Sequence, residues 1–481
     1  MPFGFSPYNM GVASISSCVV LLWCLDKRKP HIACLMGLLY GLGMFGLGVN
    51  WVYVSIHDYG YASPILAGFI TLVFIFILSL FPAAMAFILN RYFFKNNFIR
   101  CLLAFPALWV VFELIRGFIF TGFPWLFVGY SQIENHLRDY ATVGGVYTVS
   151  WATVLVAAIL YGIIDYYYSH KTKTKIRNGL VALMLVVWGV AFGLHQIKWV
   201  TPIQQSLTVA LVQGNVPQLM RWDPAAVTQI VNTYEELTQQ ALDINLIIWP
   251  EAAIPVPLPV SAGLFKQMDA SMDAHNTGLI AGVPSEADKT HYYNSLIGVG
   301  RASGIYHKSH LVPFGEYVPL ERFLRGIIAF FNLPMSSIIP GPTDQEPLTA
   351  QSYRFAPAIC YEIAYPLFVQ QMSQHADFIL TVSNDAWFGT SIGPWQHLQI
   401  AQFRAIENGK YVLRATNTGL TAIIAPDGTI QAIAPQFEPY VLTGTVNAMK
   451  GQTLWSRFGV WPVLAGLIIV LGAAFWLRKE K

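Results

Sequence analysis

The chain has 481 residues, of which 54% are hydrophobic and only 11% are charged, whereas a soluble globular protein carries about 25% charged residues. This composition excludes an ordinary soluble enzyme, a disordered chain and a collagen-like repeat. The 29 basic and 26 acidic residues leave a formal charge of +3, which is too small to predict a nucleic-acid partner.

Seven apolar runs predict membrane-spanning helices, because about 20 helical residues cross the hydrocarbon core of a bilayer. They are Tyr8–Leu25, His31–Ile56, Ser63–Leu89, Ile99–Ile115, Ala141–Ile164, Asn178–Ile197 and Gly459–Leu477. We expect no removable signal peptide, since no charged segment with a cleavage site precedes the first run.

Basic residues in short loops set the expected orientation, because such loops stay on the cytoplasmic side. Lysines and arginines cluster after the first, third, fifth and seventh runs. The short loops after the second and fourth runs contain only two basic residues, Arg116 and Arg138. The N-terminus and the polar region between Lys198 and Arg457 are therefore predicted to lie outside the cytoplasm. The predicted domains are a transmembrane bundle over 1–197, an extracytoplasmic domain over 198–457, and a C-terminal helix with a basic tail over 458–481.

Short apolar runs and helical stretches alternate in the polar region. Strands are predicted at LTVALVQGN, LIIWPE, GLIAGVP, NSLIGVG, YRFAPAICYE, FILTVSND, YVLRATNTG and TAIIAPDG, and helices at Pro224–Leu242, Gly263–His275 and Trp395–Gly409. Apolar runs that barely alternate are typical of strands buried on both faces. We therefore expect a layered α/β domain.

Three residues at predicted strand ends form a possible catalytic set. Cys360 is the only cysteine of this region, so it is either buried and inert or kept for its reactivity. Glu251 follows LIIWP, and Lys308 lies in YHKSHLVPFGEYVP. Taken singly, Glu251 is equally well a solvated loop carboxylate, and Lys308 an ordinary exposed lysine. Together they supply a nucleophile, a base and a cation for an oxyanion.

The segments WPEAAIP, KSHLVPFGEYVP, AICYEI and SNDAWFG, in this order, resemble the Glu, Lys and Cys motifs of the nitrilase or carbon-nitrogen hydrolase superfamily. With the apolar N-terminal half, nearly the whole chain resembles the apolipoprotein N-acyltransferase family. The resemblance implies a membrane α-helical bundle plus a nitrilase-like α-β-β-α sandwich. It also implies a further helix before the FSPY segment, which begins here at Phe5; we expect either a late start or a bundle without that helix.

The resemblance implies catalytic roles for the matched residues. Glu251 corresponds to the general base, Lys308 to the oxyanion-stabilising lysine and Cys360 to the nucleophile. Glu316 resembles an accessory glutamate that helps to position the lysine, or it is a turn carboxylate.

Four further residues match positions around this set. Tyr361 and Glu362 follow the nucleophile, where the backbone N–H after Cys360 can serve an oxyanion hole. Trp222 and Trp387 match aromatic positions near the lipid-binding site, or they are ordinary packing tryptophans.

The substrates implied are a phospholipid acyl donor such as phosphatidylethanolamine and an S-diacylglyceryl-cysteine lipoprotein whose N-terminal amine accepts the chain. The implied setting is a bacterial inner membrane with the catalytic domain in the periplasm. The implied reaction is a ping-pong transfer through a Cys thioester, and its chemistry needs no cofactor. The outer-domain histidines, His291, His307, His310, His375 and His397, lack zinc-like spacing, so surface or structural roles and no metal site are expected.

Two alternatives remain open. A membrane-bound nitrilase-type amidase would use the same residues, with water completing the reaction, but it has no need of the long apolar half. A transporter or receptor is disfavoured by the Glu, Lys and Cys set and by the few charged residues in the runs, Glu113 and Asp165. The apolar segment Gly326–Pro340 is predicted to be a mobile arm at the membrane surface, or else a core element.

Overall fold

The computed structural model describes residues 1–94, 97–169, 174–221, 223–288, 290–313, 315–317 and 338–477. The chain forms two compact units. The first comprises Met1–Val52, Ile65–Trp199 and Thr453–Lys481, and the second comprises Tyr53–Pro64 and Val200–Gln452. The apolar pattern assigns residues 53–64 to the bundle, whereas their contacts place them with the second unit.

The described helices include seven apolar ones and five that are shorter or more polar. In chain order they are α1 Gly11–Leu25, α2 Pro30–Gly48, α3 Pro64–Tyr92, α4 Asn97–Arg116, α5 Ala141–Ser169, α6 Thr174–Gln196, α7 Val227–Gln239, α8 Leu258–Ala274, α9 Pro366–Ser373, α10 Gly393–Asn408, α11 Leu454–Phe458 and α12 Trp461–Leu477. A short helical turn, Trp51–Val54, leads into the π-helical segment Ser55–Tyr59.

Helices α2 to α6 are long and apolar enough to cross a membrane, and α1 and α12 are shorter apolar helices. Each coincides with one of the predicted apolar runs, so the expected membrane helical bundle is confirmed. The largest difference in bounds is at the end of α2, which lies at Gly48 rather than near Ile56, because the backbone leaves the helical region at Val49, where φ is −129°.

The second unit is built on two mixed sheets. Its strands are β1 Val200–Gln213, β2 Leu246–Ile248, β3 Gly278–Glu286, β4 Tyr292–Gly300, β5 Ala302–Ser303, β6 Ile305–His307, β7 Leu348–Ala350, β8 Tyr353–Ile359, β9 Phe378–Ser383, β10 Val412–Thr416, β11 Ala422–Ile424, β12 Ile430–Ile433 and β13 Tyr440–Gly451. One sheet has the order β13-β1-β2-β3-β4-β6, and the other has the order β12-β11-β10-β9-β8-β7-β5. The central pairs β1–β2, β2–β3, β8–β9 and β9–β10 are parallel.

Four layers pack through three apolar cores. Leu211 and Ile248 of one sheet meet Phe355 and Leu380 of the other in the core between the sheets. Helices α7 and α8 cover the outer face of the first sheet, and α9 and α10 cover that of the second. The second unit is therefore the α-β-β-α sandwich that the resemblance implied, and all eight strands predicted from the sequence are present. The predicted arm Gly326–Pro340 lies outside the described residues except for its last three.

Candidate active site

The predicted catalytic residues stand at the ends of three strands in the sandwich. Glu251 comes three residues after β2, Lys308 directly follows β6, and Cys360 directly follows β8. The first two strands belong to one sheet and the third belongs to the other. Because the two sheets pack face to face, residues from both can meet at one edge of the central core.

Lys308 is almost fully buried and is held by two carboxylates. Its Nζ lies 2.8 Å from Glu316 Oε1 and 3.3 Å from Glu251 Oε1. Burial alone would lower the pKa of this ammonium, but the charges of Glu316 and Glu251 outweigh burial and raise the pKa well above its ordinary value. Lys308 is therefore a cation at neutral pH.

Glu251 is fixed by donors to both of its carboxylate oxygens. Besides Lys308, Oε1 accepts a hydrogen bond from Asn294 Nδ2 at 2.7 Å, and Oε2 accepts one from the backbone N–H of Asn384 at 2.7 Å. The same Asn294 amide donates to Glu316 Oε1 at 3.1 Å. Asn294 thus bridges the two carboxylates, and Glu251 has little freedom to turn away from the lysine.

Cys360 occupies a sharp turn between β8 and the 3₁₀ helix Cys360–Ala364. Its φ is +54°, a left-handed conformation that costs a residue with a Cβ about 1–3 kcal/mol. Burial, reinforced by the charge of Glu251 and partly offset by Lys308, raises the pKa of the thiol well above its usual range. The resting side chain is therefore a thiol, and a base must remove its proton before it can attack as a thiolate.

Glu362 ties the turn after Cys360 to the loop that carries Lys308. Its Oε1 accepts hydrogen bonds from Tyr306 Oη at 2.8 Å, the backbone N–H groups of Ser309 at 2.7 Å and His310 at 3.0 Å, and Ser309 Oγ at 3.0 Å. Its Oε2 accepts from the backbone N–H of Ile359 at 2.7 Å. Glu362 is fully buried. Because it accepts hydrogen bonds from the backbone on both sides, it holds the turn at Cys360 and the loop after Lys308 together.

A buried polar chain reaches the backbone of Cys360 from the opposite side. His397 Nε2 lies 3.1 Å from the Cys360 carbonyl oxygen, which can only accept a hydrogen bond. His397 Nδ1 lies 3.1 Å from both Asp385 Oδ1 and Arg414 Nη2, and Asp385 Oδ2 pairs with the same guanidinium nitrogen at 2.6 Å. Burial opposes the charge of Asp385, but Arg414 and His397 outweigh it and hold the pKa of this carboxyl well below its usual range.

Of the two predicted aromatic positions, Trp387 belongs to the described residues. Trp387 is half-buried; its backbone oxygen accepts a hydrogen bond from Ser55 Oγ at 2.8 Å, and its ring meets Tyr59 edge to face at 6.2 Å. Trp222 lies outside the described residues. Tyr361 is buried against Tyr365, with ring centroids 5.2 Å apart.

The structure brings Glu251, Lys308 and Glu316 into one hydrogen-bonded cluster that interacts electrostatically with Cys360. Sequence reasoning gave no role to Asn294, Asp385 or Arg414, and it predicted only a surface or structural role for His397, which proves to be buried beside Cys360. The segment SNDAWFG pointed to the right loop, because Asn384 and Asp385 belong to it, but Asn294 lies inside an ordinary apolar strand with no local signal.

A fixed carboxylate, a charged ammonium and a thiol suit acyl transfer from an ester or an amide. The carboxylate can remove and return a proton, and the ammonium can stabilise a tetrahedral oxyanion. The thiol can hold the acyl group as a thioester between two half-reactions.

Comparisons with known proteins show which families the chain resembles. The family model described as Carbon-nitrogen hydrolase matches residues 208–453, and the model described as Apolipoprotein N-acyltransferase N-terminal domain matches residues 1–159. The second unit is thus a carbon-nitrogen hydrolase domain, joined in one chain to an apolar helical half. A solved structure with a similar trace is the C. elegans NitFhit protein, which is 15% identical, with 54% of this chain and 64% of that chain covered and a TM-score of 0.40.

Curated relatives extend the likeness over the whole chain. The apolipoprotein N-acyltransferase of Azotobacter vinelandii is 40% identical, with 100% of this chain and 94% of the relative covered. That of Coxiella burnetii is 40% identical with 99% and 97% covered, and that of Pseudomonas aeruginosa strain UCBPP-PA14 is 42% identical with 98% and 92% covered. The chain belongs to the apolipoprotein N-acyltransferase family and, with its long apolar helices, is a multi-pass membrane protein.

Proposed function

We propose that the chain transfers an acyl chain from a membrane phospholipid to the N-terminal amine of S-diacylglyceryl-cysteine lipoproteins, through a thioester on Cys360. The observation that carries the proposal is the buried Lys308 ammonium held by Glu251 and Glu316 and coupled electrostatically to the thiol. Its membership of the acyltransferase family supplies the class of substrates.

In the first half-reaction, the Glu251 carboxylate takes the Cys360 proton as the sulfur attacks the donor's ester carbonyl carbon. The oxygen of that carbonyl becomes an oxyanion, which Lys308 and the backbone N–H after Cys360 stabilise. The C–O bond then breaks, and the leaving alkoxide takes the proton from Glu251. The products are an acyl-Cys360 thioester and a lysophospholipid.

In the second half-reaction, the lipoprotein's amine attacks the thioester while Glu251 takes a proton from the nitrogen. The C–S bond breaks, and the thiolate recovers a proton from Glu251, so the enzyme returns to its starting state. An amide replaces a thioester, and this exchange of a reactive bond for a stable one drives the transfer forward. Hydrogen bonds to both oxygens of Glu251 hold its carboxylate in one position through both steps.

The apolar half of the chain has a physical purpose in this proposal. Exposing one buried CH₂ group to water costs about 0.8 kcal/mol, so neither the diacyl donor nor the diacylated acceptor leaves the bilayer readily. An enzyme tethered to the membrane meets both without extracting them. The basic-loop alternation supports an orientation in which the catalytic unit lies on the outer side of a bacterial inner membrane.

The test uses the purified full-length protein in lipid nanodiscs and phosphatidylethanolamine with a labelled acyl chain. Without acceptor, intact-protein mass spectrometry should show one added acyl group on the wild type and on Cys34→Ser, but none on Cys360→Ala. Adding a diacylated lipopeptide with a free amine should discharge the thioester and give a labelled amide, whereas an N-acetylated lipopeptide should not. Full transfer by Cys360→Ala would remove the nucleophile assignment.

The same experiment distinguishes the proposed acyl transfer from the amidase alternative. That enzyme would discharge the thioester to water and release labelled free fatty acid at the same rate with or without the lipopeptide. Amide formation that depends on the free amine favours acyl transfer. The likeness to the acyltransferase relatives over the full chain already supports the transferase over the amidase.

A further inference from the structure

Two histidines and one aspartate from distant parts of the chain meet in the first unit. His136 and Asp139 belong to the 3₁₀ helix His136–Tyr140, which leads into α5, and His195 lies in the last turn of α6. His195 Nδ1 is 3.3 Å from Asp139 Oδ2, and His136 Nδ1 is 3.5 Å from the same oxygen. A nitrogen or oxygen atom from each of the three lies within 4.8 Å of one from either of the others.

The shared oxygen is less well satisfied than Oδ1 of the same carboxylate, which lies within hydrogen-bond distance of His195 Nδ1, at 3.4 Å. Asp139 Oδ2 is shielded from solvent and accepts no hydrogen bond within the described part of the chain, although two imidazole nitrogens approach it. A buried oxygen without a donor costs about 1–3 kcal/mol, and more when it is charged. A cation between the three groups would satisfy this oxygen and use both nitrogens.

The spacing matches that of a known coordination geometry. With zinc bonds of about 2.0–2.2 Å, tetrahedral ligand atoms lie about 3.3–3.5 Å apart. The two His–Asp distances, 3.3 and 3.5 Å, agree with that edge length. The imidazole rings lie 4.5 Å apart with an interplanar angle of 58°, so they are not stacked face to face on each other.

Neighbouring contacts hold the three groups in place. Tyr140 Oη donates to the Val187 carbonyl of α6 at 2.9 Å, which fastens the 3₁₀ helix to α6. The ring of His136 meets Phe192 edge to face at 5.9 Å. The nearby Arg138 donates to the Ile133 carbonyl at 3.0 Å. The C-terminal end of α6 adds partial negative charge that favours a cation.

We propose that His136, Asp139 and His195 form a binding site for a divalent transition-metal ion, with zinc as the expected occupant. Two imidazoles and a carboxylate are ligands that zinc prefers, and three protein ligands leave a fourth position for water. Both histidines are partly exposed, so an ion can enter from solvent. The bound ion would cross-link the segment before α5 to the end of α6, a function separate from acyl transfer.

The test measures zinc and cobalt binding to the full-length protein, purified without a polyhistidine tag. A Cys360→Ser background removes the catalytic thiol as a rival ligand. Equilibrium dialysis with metal analysis gives the stoichiometry and affinity, and the visible spectrum of the Co²⁺ form reports tetrahedral nitrogen and oxygen ligation. The variants are His136→Gln, Asp139→Asn and His195→Gln. The matched control is His291→Gln, since His291 also pairs with an aspartate, Asp288 Oδ2, at 2.8 Å, but lies outside the proposed site.

We expect one equivalent of zinc and a tetrahedral Co²⁺ spectrum in the Cys360→Ser protein, which is the parent of the other variants, and in His291→Gln. Each ligand variant should bind at least about tenfold more weakly, since losing a mere outer-shell partner already costs 10–100-fold. Zinc should raise the thermal midpoint of the parent and not that of Asp139→Asn. The proposal is overturned if the parent binds no zinc, or if all three variants bind as tightly as the parent. The Co²⁺ spectrum of the parent decides the matter even where a variant fails to fold.

Discussion

His397 donates a hydrogen bond from Nε2 to the backbone oxygen of Cys360, at 3.1 Å. The bond restrains the peptide unit of a residue whose φ of +54° is unfavourable for any side chain with a Cβ. Glu362 restrains the preceding residue through the Ile359 N–H. Two buried side chains thus hold the turn that presents the thiol.

Replacing His397 tests this restraint. In His397→Leu we expect thioester formation to slow by about 10–100-fold, because a lost hydrogen bond to a buried acceptor costs about 1–3 kcal/mol. The fall should appear in kcat with little change in KM, and His397→Gln, which keeps an N–H donor, should recover part of it. Stopped-flow or quenched single-turnover acylation measures the step.

The exposed His375→Gln is the matched control and should acylate like the wild type. A purely structural role for His397 would instead lower the fraction of folded protein and leave the rate per folded molecule unchanged. Equal rates in His397→Leu and the wild type would contradict the positioning role.

Glu316 is expected to set the alkaline limit of activity through Lys308. The Glu316 and Glu251 carboxylates raise the pKa of the Lys308 ammonium against the opposing effect of burial. In Glu316→Gln one of those charges is gone, so the lysine pKa falls and the cation is lost at a lower pH. The rate should drop by about tenfold or more at neutral pH, and the alkaline limb of its pH profile should move toward neutrality.

Exposed Glu346→Gln removes a carboxylate outside the Lys308 cluster and should leave both the rate and the profile unchanged. A Glu316→Gln profile that retains the wild-type alkaline limb would show that Glu316 does not act through the charge of Lys308.

The pair of Asp385 and Arg414 is expected to contribute strongly to the stability of the second unit. Both side chains are fully buried and lie 2.6 Å apart, so Asp385→Asn leaves a guanidinium without its counter-charge. Breaking such a pair costs about 3–5 kcal/mol. We expect a fall of that size in the free energy of unfolding, measured with denaturant on the detergent-solubilised chain. Asp385→Asn combined with Arg414→Met should lose less than the sum of the two single changes.

The same aspartate should make the fold sensitive to acid. The pKa of Asp385 is lower in the folded chain than its unfolded value of about 3.9. Its contribution to stability is therefore complete above about pH 4 to 5 and is lost as the pH falls toward the folded value. Unfolding measured between neutral pH and pH 3 should show this loss in the wild type, with a shallower slope in Asp385→Asn. Parallel slopes would contradict the assignment.

The sequence predicted the parts of the fold that depend on local pattern. Continuous apolar runs located the bundle helices and the central strands. Strand β13, Tyr440–Gly451, was missed because its residues alternate between exposed and buried and include polar and glycine positions, so no continuous apolar run marks it. Its place is decided by antiparallel pairing with β1, more than two hundred residues earlier.

The proposed catalytic residues could be predicted from motifs, but the groups that support them could not. Glu251, Lys308 and Cys360 stand out as ionisable residues after apolar strands. Asn294 and His397 act only through contacts with residues far away in sequence, and no spacing rule reports those contacts. The cluster of His136, Asp139 and His195 was likewise invisible, since His195 follows Asp139 by 56 positions and zinc motifs are recognised by short spacing.

The second unit is formed by two separate stretches of the chain, Tyr53–Pro64 and Val200–Gln452. Ser55 and Tyr59 of the first stretch contact Trp387, whose loop also supplies the Asn384 N–H to Glu251. A truncated fragment cut at residue 198 would discard this piece and leave the tryptophan loop without its brace. A water-soluble version made for crystallisation or screening should therefore include residues 53–64. Without them, we expect the loop that positions the Glu251 carboxylate to be less rigid.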